Sequence, residues 1–218
     1  LGKEVRVTVV PQGNSSNVFI GNGQPLVVGD KAYALAATSS PTDSNRTVVA
    51  YVAKGKTSIL AEGALPGGRL GGLFDFRAQT LDPTQNALGR IAIVLGDTVN
   101  AQHRLGQTGT GVMGTDLFRI PTPQVTASRD NTGTGQVSVV LQDSSQLTTS
   151  DYRVQFDGSN YHVTRLSDNT DTSYASLPQT VDGVTIGISG TPATSDTYLI
   201  VDNNRYKVAD PAVLKALA

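Results

Sequence analysis

The sequence has no cysteine and no tryptophan, only one methionine and two histidines, and few charged residues among its 218 positions. Without cysteine, disulfides, thiolate nucleophiles, cysteine-ligated zinc and iron–sulfur clusters are excluded. Charged residues make up 16% of the chain, whereas a typical globular protein has about 25%. The polar surface therefore depends on Ser, Thr, Asn and Gln, which suit short strands and turns better than long surface helices.

The charge is balanced and evenly spread, with 17 Lys and Arg residues against 18 Asp and Glu residues. A protein that binds duplex nucleic acid needs several cations on one face, so we expect no nucleic-acid partner. No run of about 18 apolar residues occurs, so we expect no membrane partner either. The opening residues LGKEVRVTVV alternate like a strand rather than forming the apolar core of a signal peptide. Because Leu1 falls within this pattern, we expect the chain to be a piece of a longer protein.

A period of two residues predicts a small β meander in the first 60 residues. Val5, Val7 and Val9 alternate with polar residues and so share one face of a strand. Gly21-Asn22-Gly23 predicts a tight hairpin turn, since Asn-Gly tolerates a positive φ. The flanking strands are predicted over 18–20 and 25–28, and a further strand over 47–52.

Residues 70–105 carry the only sustained helical periodicity in the chain. Leucine recurs every seven residues there, and one apolar stripe consists of Leu88, Ile91, Leu95 and Val99. Asp82-Pro83-Thr84-Gln85 has the composition of an N-cap followed by proline at the first helical position. We therefore expect one long helix that is either kinked or restarted at Pro83.

Residues 121–201 predict an all-β region, because short alternating strands recur every 8 to 12 residues or so, which is typical of a sandwich or barrel. The strands are predicted over 137–141, 152–156, 161–163, 184–188 and 198–201. We therefore predict an α+β fold in which residues 1–117 form the meander with its long helix and residues 118–202 form the all-β domain. A short helical pattern begins at Asp210-Pro211, and the segment 203–218 is a candidate to return to the first domain.

Motifs that could carry chemistry have simpler structural explanations. Gly109, Gly111 and Gly114 spell G-x-G-x-x-G, but a dinucleotide site needs the helix after the glycines, whereas here it precedes them. His103 is expected to end the long helix, and His162 to lie on the polar side of a strand, so we assign neither to metal binding or acid–base catalysis.

Other candidate sites are equally unsupported. No G-x-S-x-G elbow is present to position a nucleophilic serine. Asx and Ser/Thr turns explain the Asp-rich segments 130–133 and 168–172 better than calcium loops, since neither has the closing glutamate. We therefore predict no catalytic, cofactor-binding or metal-binding residues, and no cofactor.

One signal lies in the order of several short segments along the chain. They are Gly67–Arg77, Leu81-Asp82, Asn86–Leu88, Val99–Gly106, Gly114–Phe118, Asp151–Val154, Tyr161–Arg165 and Asp210-Pro211. With these segments, the chain resembles the central part of the flagellar hook-associated protein 1 family, the bacterial hook–filament junction proteins, without the helical regions at either end. The helical segments are the specific part of the resemblance.

The resemblance implies a structural subunit of the bacterial flagellum and not an enzyme. Members of such a family are exported through the flagellar type III apparatus without a cleaved signal peptide and assemble outside the cell as a ring. The implied partners are copies of the chain itself, the hook protein, a second junction protein and an export chaperone that binds segments absent here. The isolated piece is expected to be a monomer.

The alternative is an extracellular β-sandwich module that binds glycans or serves as an adhesin stalk. Such a module would need exposed aromatic side chains as stacking platforms. Tyr152, Tyr161 and Tyr198 are the candidates, although the alternation assigns most aromatic residues to cores. A cell-wall hydrolase is a third alternative, but no carboxylate pair stands out for it.

The isolated chain is expected to bind no nucleotide. A glycine-rich connection that follows a helix offers no helix N-terminus to a phosphate group. Calorimetric titration with ATP and with NAD should therefore give only heats of dilution. Stoichiometric binding of either nucleotide would contradict this prediction.

Overall fold

The computed structural model describes residues 1–201. Contacts within the chain divide it into two compact units, residues 1–82 and residues 83 onward. The helical pattern at Asp210-Pro211 and the returning segment 203–218 lie outside the described residues. The domain boundary between residues 117 and 118 stays a prediction.

Residues 1–82 form two antiparallel meanders followed by helical turns. One sheet has the order β1-β2-β3-β4 and the other has the order β5-β6-β7. The strands are β1 (Val7–Gln12), β2 (Ser15–Ile20), β3 (Gln24–Val28), β4 (Lys31–Ala32), β5 (Ala34–Ser39), β6 (Thr47–Ala53) and β7 (Lys56–Ile59). A 3-10 turn (Glu62–Ala64) precedes the first helix, α1 (Gly68–Phe76).

The predicted hairpin in this unit is confirmed. Strands β2 and β3 pair antiparallel, and Gly21 and Gly23 at their turn have φ of 54° and 100°. The strand predicted over 47–52 is confirmed as β6. The first valines behave differently, because β1 begins only at Val7 and Val9 is 54% exposed.

The core of the first unit is small. Val48, Ala50 and Tyr51 of β6 are buried, and one cluster of buried side chains consists of Val5, Ile20 and Leu65. Leu70 and Phe74 of α1 pack against them, since residues four apart lie on one face of a helix.

Helical conformation runs from Gly68 to Arg104, through α1, a π-helical turn (Arg77–Leu81) and α2 (Asp82–Arg104). The Asp82 N–H donates to the Arg77 carbonyl, five residues back, and Asp82 itself has helical φ and ψ of −61° and −48°. Asp82 is therefore not an N-cap, and of the two predicted alternatives at Pro83, a kink or a restart, the restart is wrong. The π turn takes up an extra residue just before the proline, whose ring and missing N–H conflict with a regular α-helical ladder.

In the second unit, α2 is followed by two antiparallel sheets, with the orders β12-β11-β10-β15-β8 and β13-β14-β9. The strands are β8 (Gln124–Ala127), β9 (Gln136–Leu141), β10 (Tyr152–Phe156), β11 (Tyr161–Arg165), β12 (Thr170–Tyr174), β13 (Gln179–Val181), β14 (Val184–Ser189) and β15 (Thr197–Val201). A 3-10 turn (Ser144–Gln146) lies between β9 and β10. The two sheets share one core, which includes Val139, Val154, Ile186 and Tyr198 and also Ile93 of α2.

The α+β prediction is thus confirmed: one long helical run and a β domain of two packed sheets. All five strands predicted after residue 121 are present, as β9, β10, β11, β14 and β15. Within residues 1–201, no helix has both the length and the apolar character needed to cross a membrane.

A buried carboxylate ties together the loops at one end of the β domain. Asp196 is 2% exposed and accepts backbone N–H groups from Thr132 at 2.9 Å, Gly133 at 3.1 Å and Ala193 at 2.9 Å. Burial alone would raise the pKa of the Asp196 carboxyl, but the three backbone donors outweigh burial and hold that pKa below its ordinary value.

Replacing Asp196 by Ala is expected to lower the free energy of unfolding by about 2–3 kcal/mol, because three buried N–H groups lose their acceptor. Urea unfolding followed by circular dichroism measures the loss. Asp130→Ala, at an exposed loop position nearby, is the control and should change the free energy by less than about 0.5 kcal/mol. The difference between wild type and Asp196→Ala should shrink as the pH falls through the lowered pKa. Equal losses in the two variants would refute the role assigned to Asp196.

Candidate functional site

Helix α2 packs on its own unit mainly through small and polar residues. Its buried residues, at spacings of three and four, are Asn86, Gly89, Ile93, Gly96 and Asn100. Ile93 alone in this set brings a large apolar side chain to the core. The inward face of α2 is therefore unusual for an amphipathic helix, which normally turns its apolar stripe inward.

Asn100 fastens α2 to the chain that returns after the helix. Its Oδ1 accepts the backbone N–H groups of Leu117 at 2.9 Å and Phe118 at 2.8 Å, and its Nδ2 donates to the Phe118 carbonyl at 2.7 Å. The amide is 1% exposed. Because the Asn100 amide is shielded from water and needs these partners, its hydrogen bonds hold the helix in one rotational position.

Three further hydrogen bonds attach α2 to the segment before β10. Asn86 donates through Nδ2 to the Thr149 carbonyl at 3.0 Å and to Asp151 Oδ1 at 3.1 Å. The Ser144 hydroxyl donates to Asp97 Oδ2 at 2.6 Å. Polar contacts therefore run along nearly the whole inward side of the helix.

The apolar stripe predicted from the sequence lies on the opposite side of α2 and is exposed. Leu88, Ile91 and Leu95 are 55%, 64% and 62% exposed, and Val99 at the stripe's margin is half-buried. Three polar residues continue this row at the same heptad spacing. The whole row, here called the α2 seam, consists of Thr84, Leu88, Ile91, Leu95, Thr98 and Gln102. Its alternating spacings of four and three are the a and d positions of a heptad repeat.

The positions that flank the α2 seam carry no charge. They are Ala87, Val94 and Ala101 on one side and Gln85, Ala92 and Val99 on the other. In two-stranded coiled coils these e and g positions often hold Glu and Lys, which pair across the interface. An uncharged flank on both sides gives a wide apolar face, as in helices that pack in bundles.

An open groove of about 530 Å³ runs beside the seam. It is lined by Ala87, Arg90, Ile91, Val94, Leu95, Thr98 and Thr149. The lining is apolar except for one guanidinium and two hydroxyl groups. A helix with this spacing receives another helix at a crossing angle of about 20°. Covering Leu88, Ile91 and Leu95 would contribute roughly 3–5 kcal/mol.

The G-x-G-x-x-G motif forms a loop against the C-terminal end of α2. Gly111 has a φ of 89°, and a side chain at Gly114 would overlap the His103 carbonyl oxygen. The Gly106 N–H donates to that same carbonyl at 3.0 Å. A helix C-terminus is the negative end of the helix dipole, so a phosphate group is disfavoured beside this loop.

His103 lies in the last turn of α2, as predicted. Its Nδ1 is 2.5 Å from the Thr115 carbonyl oxygen, and the neighbouring Arg104 pairs with Asp116. Both contacts fix the returning loop to the helix end.

His162 lies on β11 between two carboxylates, an arrangement that the alternation of the strand did not predict. Its Nδ1 is 2.7 Å from Asp171 Oδ2 and its Nε2 is 3.1 Å from Asp157 Oδ2. The hydrogen bond to Asp171, followed by that to Asp157, raises the pKa of His162. Backbone N–H groups of Asn160 and Ser159, with His162, lower the pKa of Asp157 to about 2. In the part of the chain that the structure describes, no three His, Asp or Glu side chains converge as metal ligands do.

The Asp-rich segments form turns. The Thr170 N–H donates to Asp168 Oδ1 at 3.0 Å, and Asn131 exchanges two hydrogen bonds with the Thr197 backbone. The Asp168 carboxylate and the Asn131 amide therefore bind backbone groups of the chain itself.

Two of the three tyrosines that a glycan platform would need are in the core. Tyr152 is 0% exposed and Tyr198 is 1% exposed. Tyr161 is half-buried and packs against the Phe156 ring, with centroids 4.8 Å apart. Tyr152 and Tyr198 therefore cannot serve as the stacking platforms that the binding-module alternative needs.

Two family models match the chain. Residues 1–118 match the model described as the flagellar hook-associated protein FlgK helical domain. Residues 125–202 match the model described as the flagellar hook-associated protein 1, D2-like domain.

Among similar curated proteins is flagellar hook-associated protein 1 of Escherichia coli K12, 36% identical over 195 residues, which cover 88% of this chain and 36% of that protein. The protein of the same name from Salmonella typhimurium LT2 is 37% identical over 206 residues, 92% of this chain and 37% of that protein. The flagellar hook junction protein FlgK from Burkholderia pseudomallei superimposes with a TM-score of 0.83 at 36% identity, covering 91% of this chain and 38% of that one. This chain thus spans little more than a third of the length of each of these relatives.

The Asn100 contacts are expected to protect two backbone amides. In Asn100→Ala the N–H groups of Leu117 and Phe118 lose their acceptor, so their hydrogen exchange should quicken by at least about fivefold. Thr98→Ala is the matched control, because the Thr98 hydroxyl donates only within the helix, to the Val94 carbonyl. Exchange of the two amides measured by NMR should be unchanged in the control. Unchanged exchange in Asn100→Ala would contradict the role of this side chain.

Proposed function

This chain belongs to the FlgK family of flagellar hook-associated proteins, and we propose that it is part of a structural subunit that joins the hook of the bacterial flagellum to its filament. The subunit works through the surfaces that it offers to other helices and to copies of itself. Its complete chain assembles as a ring, next to the hook protein on one side and a second junction protein on the other.

The α2 seam is the observation that carries this proposal. It is a heptad-spaced apolar row on the side of α2 that faces away from its own unit, and polar contacts of Asn86 and Asn100 hold it there. A monomeric protein gains nothing from such an exposed row, which instead marks an interaction surface. Helices that cover it would make α2 one member of a bundle.

The same proposal implies a location for the complete protein. We place the complete protein outside the cell in the flagellum, after export without a cleaved signal peptide. The low charge of the chain suits a subunit whose sides pack beside identical neighbours, because charged residues are depleted at the centres of interfaces. We expect the isolated chain of 218 residues to remain a monomer.

We assign no catalytic activity or cofactor to the chain. Asp157, Asp168 and Asp196, whose pKa values are lowered, lie in turns and loops, where backbone N–H groups, His162 or Arg165 engage them. Asp171 lies on strand β12, and its pKa is lowered chiefly by the hydrogen bond from His162. These structural contacts are enough to account for the shifted pKa value of each carboxyl group. The glycan-binding alternative is not favoured, because Tyr152 and Tyr198 are buried.

The test is a charge placed on the seam of the complete protein. Ile91→Lys is expected to abolish filament attachment, since it removes an apolar contact worth about 2–3 kcal/mol and buries an unpaired ammonium group in its place. The variant is expressed in cells that lack the wild-type protein. Swimming in soft agar and electron microscopy of hooks with and without filaments measure the effect.

The matched control is Val140→Lys. Val140 is also a β-branched aliphatic residue and is 56% exposed, against 64% for Ile91, but it lies on β9 of the β domain. In the isolated chain, both substitutions should leave the urea midpoint unchanged, because both side chains face water there. Equal motility of the two variants, or a loss of stability confined to isolated Ile91→Lys, would refute the docking role of the seam.

A further inference from the structure

The outer face of the five-stranded sheet carries a polar cluster centred on His162. In the pairing of β10, β11 and β12, His162 lies opposite Gln155 on one side and Ser173 on the other. The next row of the same face consists of Arg153, Thr164 and Asp171. His162 is thus surrounded by groups from each of the strands that pair with its own.

Two carboxylates reach the imidazole from different parts of the chain. Asp157 belongs to the turn between β10 and β11, and Asp171 belongs to β12. The side chains of His162, Asp157 and Asp171 are 33%, 43% and 44% exposed, so solvent protons reach all three. The remaining charged group beside them is Arg153 of β10, which acts on Asp171.

Each carboxylate also has donors of its own. Asp157 Oδ1 accepts the backbone N–H groups of Ser159 and Asn160, both at 2.7 Å. Asp171 Oδ1 accepts the Thr164 hydroxyl at 2.8 Å. Both carboxylates therefore stay ionised and in place, and His162 is the group whose charge changes.

Of the elements that contact His162, strand β12 depends most on side-chain contacts for its attachment to the sheet. It lies at the edge of its sheet and pairs with β11 alone among the described strands. Its sequence, TDTSY, supplies little apolar contact, and four of its five residues are exposed. A side-chain contact is therefore a sizeable share of what attaches it.

We propose that His162 is a pH-dependent latch, which ties the β10–β11 turn and the edge strand β12 together while the imidazole is charged and loosens them once it is neutral. The charged ring has two N–H donors, one for each carboxylate. The neutral ring has a single N–H donor, so one of its nitrogens presents a lone pair to a carboxylate oxygen. That contact opens, and the remaining hydrogen bond loses its charge assistance, so the attachment of β12 weakens whichever carboxylate keeps the N–H.

The pKa shifts of His162 and Asp157 determine how the latch responds to pH. His162 has a raised pKa, so the latch is fully closed below the ordinary histidine pKa of about 6.5 and opens as the pH rises through the raised value. On the acid side it weakens only when the carboxyls take up protons, and the pKa of Asp157 is about 2. The latch is therefore closed between the acid range in which the carboxyls take up protons and the raised pKa of His162, and it is open above that pKa.

Hydrogen exchange of the β12 amides in the whole chain tests the latch, after correction for the intrinsic pH dependence of exchange. Opening of β12 should increase by up to about fivefold as the pH rises, with the midpoint of the His162 ring titration followed by NMR. In His162→Gln the opening should be independent of pH. His103→Gln, at the other histidine of the chain, is the matched control and should keep the full response.

A second variant keeps the test independent of the folding of His162→Gln. Asp171→Asn removes one of the two carboxylates and should lower the midpoint of the His162 ring titration relative to wild type. An unchanged midpoint in this variant would overturn the proposal. So would a β12 opening that is flat across the ring titration, or one that rises equally in His162→Gln.

Discussion

The rotational position of α2 depends on two buried asparagines. Asn86 and Asn100 lie two heptads, about four helical turns, apart on the same side of the helix. Their amides bond to Thr149, Asp151, Leu117 and Phe118. A buried amide that loses such partners costs about 1–3 kcal/mol, so turning the helix to bury its leucines would leave both amides unsatisfied. Gly89 and Gly96 are also buried on this side, and Ile93 is the one large apolar residue among its buried positions. The outward direction of the α2 seam follows from these polar contacts.

With this arrangement, the residues that stabilise the second unit are different from the residues of the exposed α2 seam. The β domain has Tyr152 and Tyr198 in its core, and Asp196 binds its loops. The large exposed apolar side chains of α2 are consequently available for contacts beyond this unit. The structural role proposed above requires interface area rather than a reactive centre, and the uncharged flanks of the seam would let another helix cover it without electrostatic repulsion.

Much of the secondary structure could be predicted because it carries a period. The helix over 70–105 differs from the observed helical run by two residues at its start and one at its end. Strands with alternating apolar residues, such as β6, β9 and β14, were predictable for the same reason. Strands β5, β7, β12 and β13 were not, since their residues are mostly small or polar and owe their conformation to pairing with a neighbour. The π turn was also beyond prediction, because a proline signals a conflict in the helix but not how the backbone resolves it.

By itself, the sequence determined the fold class, the existence of the long helix, the apolar stripe on it and the family resemblance carried by the helical segments. Only the tertiary structure decided that the stripe faces outward, because periodicity reveals which residues share a helix face but not which face its neighbours cover. The same limit applies to His162. Alternation placed it on the polar side of β11, whereas its meeting with Asp157 and Asp171 depends on strand pairing, which brings together residues that are five and nine positions away along the chain.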